Sequence, residues 1–167
     1  YLAGHPGFLT SLTPWPGDRF APPVVREMIE AAAVAGVGPM AAVAGALAAR
    51  VGRQLAPLSP EVIVENGGDI FLSIEHPATV ALFAGASPLS HRVGLRLDPS
   101  LSPLGVCTSS ASVGHSLSLG RADAACVLVS TGETLAANGL REVDVVLAST
   151  AVLVARAFPA LAFMEKA

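Results

Sequence analysis

Charge, aromatic rings and cysteine are all scarce in this sequence. Of its 167 residues 14% are charged and 5% aromatic, and there are two cysteines, Cys107 and Cys126. No run of Lys or Arg occurs and the net charge is −3, which argues against polymeric nucleic acid as a partner, because neutralising phosphates requires clustered cations. Two cysteines make neither a disulfide framework nor a CxxC metal motif, so a reducing cytoplasm is the expected setting. His5, His76 and His91 lack a partner at helical spacing, so no preformed metal site is expected. No charged-then-apolar leader opens the chain. The uncharged run over residues 31–49 reaches spanning length, but it is mostly Ala and Gly and Gly36-Val37-Gly38-Pro39 interrupts it. It reads as two helices, and no membrane partner is expected.

What is abundant is small apolar side chains. Hydrophobic residues reach 52%, largely Ala and Val, so the core must close through tight packing of small groups. The low charge points to some surface hidden in a homo-oligomer. The length fits one domain, an arm over residues 1–22 and a body over 23–167.

The arm is rich in proline, and Phe8, Leu9, Leu12 and Trp15 are expected to dock it on the body. Pro23 suits the first turn of a helix running to about Ala35, stopped by Gly36 and Gly38; Pro39 starts a second, to about Leu55. In that second helix Gly38, Ala42, Gly45 and Ala49 place small residues at helical spacing, so another backbone can approach closely. Strands are predicted over residues 61–64, 69–74, 79–83, 92–97, 124–129 and 143–147, helices over 133–137 and 148–158, and a loop over 105–112. Strands following strands, with helices grouped between, favour α+β over a doubly wound sheet.

Two polar segments carry the chemistry. Glu65-Asn66-Gly67-Gly68-Asp69 lies between apolar strands. Its glycines permit positive φ and close approach of a ligand, and its polar side chains suit hydroxyls, ring nitrogens or a hydrated cation; on spacing alone Asn-Gly is the stronger signal for a plain hairpin turn. No Lys-Ser/Thr follows, so it is not a P-loop. The second segment, residues 105–115, gathers Cys107, Thr108, Ser109, Ser110 and His115. Its hydroxyls and N–H groups can hold an anion, His115 can move protons, and Cys107 can act as a nucleophile if its thiolate is stabilised. The plain alternatives are a buried apolar Cys and hydroxyls that satisfy turn backbone. Gly38 and Met40, at a helix start, offer N–H groups to a phosphate or mark an ordinary helix boundary.

The strings AGVGPMAAVAGALA, EVIVENGGDI, AGASPLS, GVCTSS, VGHSLSLG and ADA, in this order, resemble an uncharacterised bacterial and archaeal branch of the ApbE-like superfamily, whose best-known members are FAD:protein FMN transferases. The resemblance implies an ApbE-like α+β fold of two related subdomains with a cleft between them. Gly67-Gly68-Asp69 looks like the turn the transferases place beside FAD, Thr108-Ser109-Ser110 like their threonine-serine-glycine loop, and His115 like the histidine that follows. The chain departs from them where Ser116-Leu117-Ser118 replaces an aspartate-proline pair and where Gly38-Pro39-Met40 replaces a lysine-containing helix start. It departs again near residues 134–138, where no Asp stands for their magnesium ligands. FAD or FMN thus stays the implied cofactor class and magnesium does not. Members of the branch have been linked to sulfur assimilation into homocysteine, which would give Cys107 a purpose.

Three functions follow. One is an enzyme acting on a small polar or phosphorylated metabolite, with His115 and Cys107 catalytic, Thr108, Ser109 and Ser110 holding an anion, and Asp69 orienting the substrate. A second is a non-catalytic flavin or nucleotide binder, and a third a structural partner subunit.

Overall fold

A computed structural model describes residues 1–114, 117–118 and 120–130. The helices and strand expected beyond residue 130, and His115, lie outside the described residues. The order is α1 (Pro6–Thr10), α2 (Pro23–Ala35), a 3-10 turn (Pro39–Ala42), α3 (Val43–Leu55), β1 (Val62–Asn66), β2 (Asp69–Ser73), β3 (Ala78–Ala81), β4 (Gly94–Leu97), β5 (Leu104–Ser109) and β6 (Ala125–Ser130). The fold class is α+β: an antiparallel sheet in the order β1-β2-β5-β6 and a separate β3-β4 hairpin.

Local chemistry sets the helix ends. Pro23 opens α2, where its missing N–H costs nothing. Gly36 closes it at φ 70°, donating its N–H to the carbonyls of Ala32 and Ala33, the left-handed cap that glycine adopts without a Cβ penalty. Between α2 and α3 the backbone tightens into the 3-10 turn, so the second helix expected from Pro39 begins as α-helix only at Val43. No single helix among the described residues is long and apolar enough to cross a membrane.

Three layers result. On one side of the sheet α3 lays Ala48 and Ala49 against Val64, Phe71 and Cys107. On the other, Ile70, Leu72, Leu104 and Val106 pack with Val80, Leu95 and Leu97 of the β3–β4 hairpin. A further cluster joins α2, α3 and the arm through Phe8, Met28, Ile29, Ala32, Ala42 and Ala46.

The arm is not wholly irregular, since α1 forms within it. Phe8 is buried and packs edge-to-face on Trp15, whereas Leu9 and Leu12 stay exposed. The arm's backbone crosses Gly38 so closely that a Cβ there would overlap the Ser11 carbonyl. Gly38→Ala is therefore expected to cost about 1–3 kcal/mol and to loosen the arm. The check is the rate of tryptic cleavage at the exposed Arg19, which should rise in the variant.

The segment expected as a loop over residues 105–112 is a strand as far as Ser109. Gly105, Ser109 and Ser110 are turn-type residues, but β5 is hydrogen-bonded on both sides, to β2 and to β6, and tertiary pairing overrides local preference.

Candidate functional site

The β1–β2 connection is a two-residue hairpin turn. Asn66 pairs with Asp69, and between them Gly67 and Gly68 both have positive φ, 62° and 97°, the primed-turn geometry whose twist matches flanking strands. The Glu65 carboxylate accepts the Gly68 N–H at 2.8 Å, and the Gly68 carbonyl accepts the Thr108 N–H at 3.2 Å. The turn is thus held from both sides. Gly68→Ala would force an L-residue into this region at a cost of about 1–2 kcal/mol, measurable by urea unfolding. Gly67→Asn should be milder, because Asn tolerates the left-handed region.

Strand alternation then decides what faces α3. Asn66, Asp69, Phe71 and Cys107 share that face, and Asp69 and Cys107 are direct register partners. Asn66 donates through Nδ2 to the Ala44 carbonyl in the first turn of α3, at 3.1 Å. Asp69 is completely buried, and neither carboxylate oxygen has a hydrogen-bond partner among the described residues. The Cys107 thiol and the Gly45 N–H lie near enough to favour its charge without full bonding geometry.

Burial dominates the electrostatics. It pushes the Asp69 carboxyl up from 3.8 to about 7, against the smaller pull of the Cys107 thiol and the Gly45 N–H, while Glu65 adds repulsion. Burial likewise drives the Cys107 thiol well above the ordinary thiol range, and the neighbouring Asp69 charge adds to this. Cys107 is 3% exposed, so in this arrangement it is a covered, protonated thiol.

The remaining sequence candidates divide. Glu65, Asn66, Gly67, Gly68, Asp69 and Cys107 come together around the hairpin end. Thr108 lies on the opposite face of the sheet, its hydroxyl donating to the Cys126 sulfur at 3.4 Å. The Ser110 hydroxyl accepts the N–H groups of Ser112 and Val113, at 3.1 and 2.9 Å, and so shapes a turn. Gly38 is buried under the arm, and Met40 packs against the helical core. Gly45 and Ala44 were missed as site residues, although the small-residue spacing of their helix marked a close-approach face. Among the described residues no cluster of His, Cys, Asp and Glu could hold a metal ion. A surface hollow of about 410 Å³, lined by Asp18, Arg19, Arg26 and Glu30 among others, shares no residue with this site.

The sequence model of the family described as AbpE bacteria matches residues 1–139. Among curated proteins the chain is similar to a UPF0280 protein of Methanococcus aeolicus, 44% identical over 130 residues, covering 76% of this chain and 52% of the relative. It is also similar to a UPF0280 protein of Methanocella arvoryzae, 44% identical over 156 residues, covering 90% and 63%. A UPF0280 protein of Methanosphaerula palustris is 45% identical over 131 residues, covering 78% and 55%. The chain thus spans little more than half the length of the relatives it matches.

Proposed function

The chain belongs to the AbpE bacteria family, and on that footing we propose that it forms one wall of a ligand cleft in an enzyme acting on a small polar or phosphorylated metabolite. The observation that carries this reading is Asp69, fully buried with both oxygens unbonded among the described residues at a glycine turn held against the first turn of α3. Buried polar groups are almost always satisfied, and the exceptions concentrate where a ligand or reaction uses them. The resemblance to the ApbE-like superfamily supports the same location, with a second related subdomain completing the cleft.

Flavin is compatible with the residues present. Nothing lies within 4 Å of where a Gly67 side chain would stand, leaving open space beside the turn for a flat ligand, and this favours the second reading, a flavin or nucleotide binder. For magnesium the described residues gather no acidic cluster, and the stretch near residues 134–138 lies outside them. In the enzyme reading Ser109, half-exposed and on the Asp69 face, offers its hydroxyl to an anion. Cys107 acts as nucleophile or sulfur carrier only when the seam between α3 and the sheet opens.

Native mass spectrometry of the purified chain, followed by titration with FMN, FAD and ATP, tests the reading. A retained small molecule, or saturable binding lost in Asp69→Ala but kept in Thr108→Val, is the expected result. No retained molecule and no binding at millimolar concentration would overturn it.

A further inference from the structure

Asp69 has surroundings that support a more specific role than that of a ligand contact. It stands at the first position of β2, directly after the turn, where its backbone is pinned by the Asn66 pairing on one side and Cys107 on the other. Its side chain is fully buried with neither oxygen bonded among the described residues. The groups that act on it are the Cys107 thiol from β5, the Gly45 N–H from α3 and, from the other face of β1, the charge of Glu65; no cation acts on it among the described residues. A carboxylate placed to bind a cation or to staple the fold would have a basic or amide partner. This one has a weak donor, one helix N–H and a like charge, an environment that lets either protonation state exist at modest cost.

Resting on the ligand-site reading, we propose that Asp69 is the proton-transfer group of the cleft, giving a proton to a basic atom, or taking one from an acidic atom, of the polar ligand seated against the start of α3 when the seam between α3 and the sheet opens. In the forward direction the Asp69 O–H bond breaks, the ligand atom gains the proton, and the carboxylate left behind is stabilised by the Gly45 N–H and by the Cys107 S–H, which keeps its own proton. Cys107 is on this account a positioning residue. Its thiol lies beside the carboxylate and is not consumed. The position of the Asp69 titration near neutrality matches what general acid–base work at cellular pH requires.

Calorimetric titration of the whole chain with FMN, FAD and ATP at pH 7, in two buffers of different ionisation enthalpy, counts the protons exchanged per ligand bound. Wild type and Cys107→Ser are expected to exchange a fraction of a proton, and Asp69→Asn to bind without exchange. Equal proton counts in wild type and Asp69→Asn, or a count lost in Cys107→Ser but kept in Asp69→Asn, would overturn the proposal while leaving the ligand site standing. Absence of binding by all three probes removes the ligand site and this role with it.

Discussion

Asp69→Asn is expected to make the protein more stable, and increasingly so as the pH rises. The folded-state carboxyl titrates at about 7 against an ordinary 3.8, so the folded chain holds the proton more tightly than the unfolded chain. The contribution of Asp69 to stability is therefore intact below 3.8 and is lost as the pH rises through about 7. At about 1.4 kcal/mol per unit, the stability gap between Asp69→Asn and wild type should widen by roughly 2–3 kcal/mol between pH 5 and pH 8. Taking the difference of the two proteins cancels the other carboxylates, such as Asp18 and Glu61, whose hydrogen bonds hold them below their usual range. Urea unfolding at the two pH values provides the measurement. Parallel pH profiles would show that Asp69 is not the buried, raised carboxyl described. A residue whose removal stabilises the fold is one whose presence packing does not explain.

The second large effect is expected at Gly52. It is buried in α3, and a Cβ there would overlap the ring of Phe71 on β2. The ring is itself buried, so Gly52→Ala should force the ring or α3 to shift at a cost of about 2–3 kcal/mol. Two measurements separate this from a loss of helix propensity, which Ala would improve. Cys107, packed at the same seam with Ala48, Ala49 and Phe71, should react faster with a thiol reagent. Adding Phe71→Leu should return part of the lost stability, so that the pair is strongly non-additive. Stability unchanged in Gly52→Ala would mean that α3 does not seat on Phe71.

The sequence shows the helices and the turn because each is punctuated. Pro23 and Gly36 bracket α2, and Asn66-Gly67 announces the hairpin. The burial of Asp69 was also within reach. In a two-residue hairpin with Phe71 turned inward, alternation puts residue 69 on the same face, however polar it is. Cys107 as its partner was not within reach. Gly105, Cys107 and Thr108 read as a loop, and only pairing with β2 and β6 makes them a strand. The same error hid the fate of Thr108, which alternation sends to the β3–β4 side, away from Asp69. The Ser110 hydroxyl holds the turn through the N–H groups of Ser112 and Val113, as hydroxyls near a strand end commonly do; the sequence does not show this. The α3 side of the site was half-legible: the spacing of Gly38, Ala42, Gly45 and Ala49 marked a close approach, but not that the arm would claim Gly38 and the hairpin end would take Gly45.

The register of β5 on β6 has a consequence for the two thiols. Cys126 pairs with Thr108, one residue from Cys107, which pairs with Val127. The sulfurs therefore point through opposite faces of one sheet, and no oxidant can join them while the strands stay zipped. Each is instead a built-in reporter of its own layer. Modification of the buried Cys107 records the parting of α3 from the sheet, and the half-buried Cys126 supplies an internal reference on the other face. A single chain with two native labels can thus reveal how often the α3 side breathes, and whether a ligand quiets it.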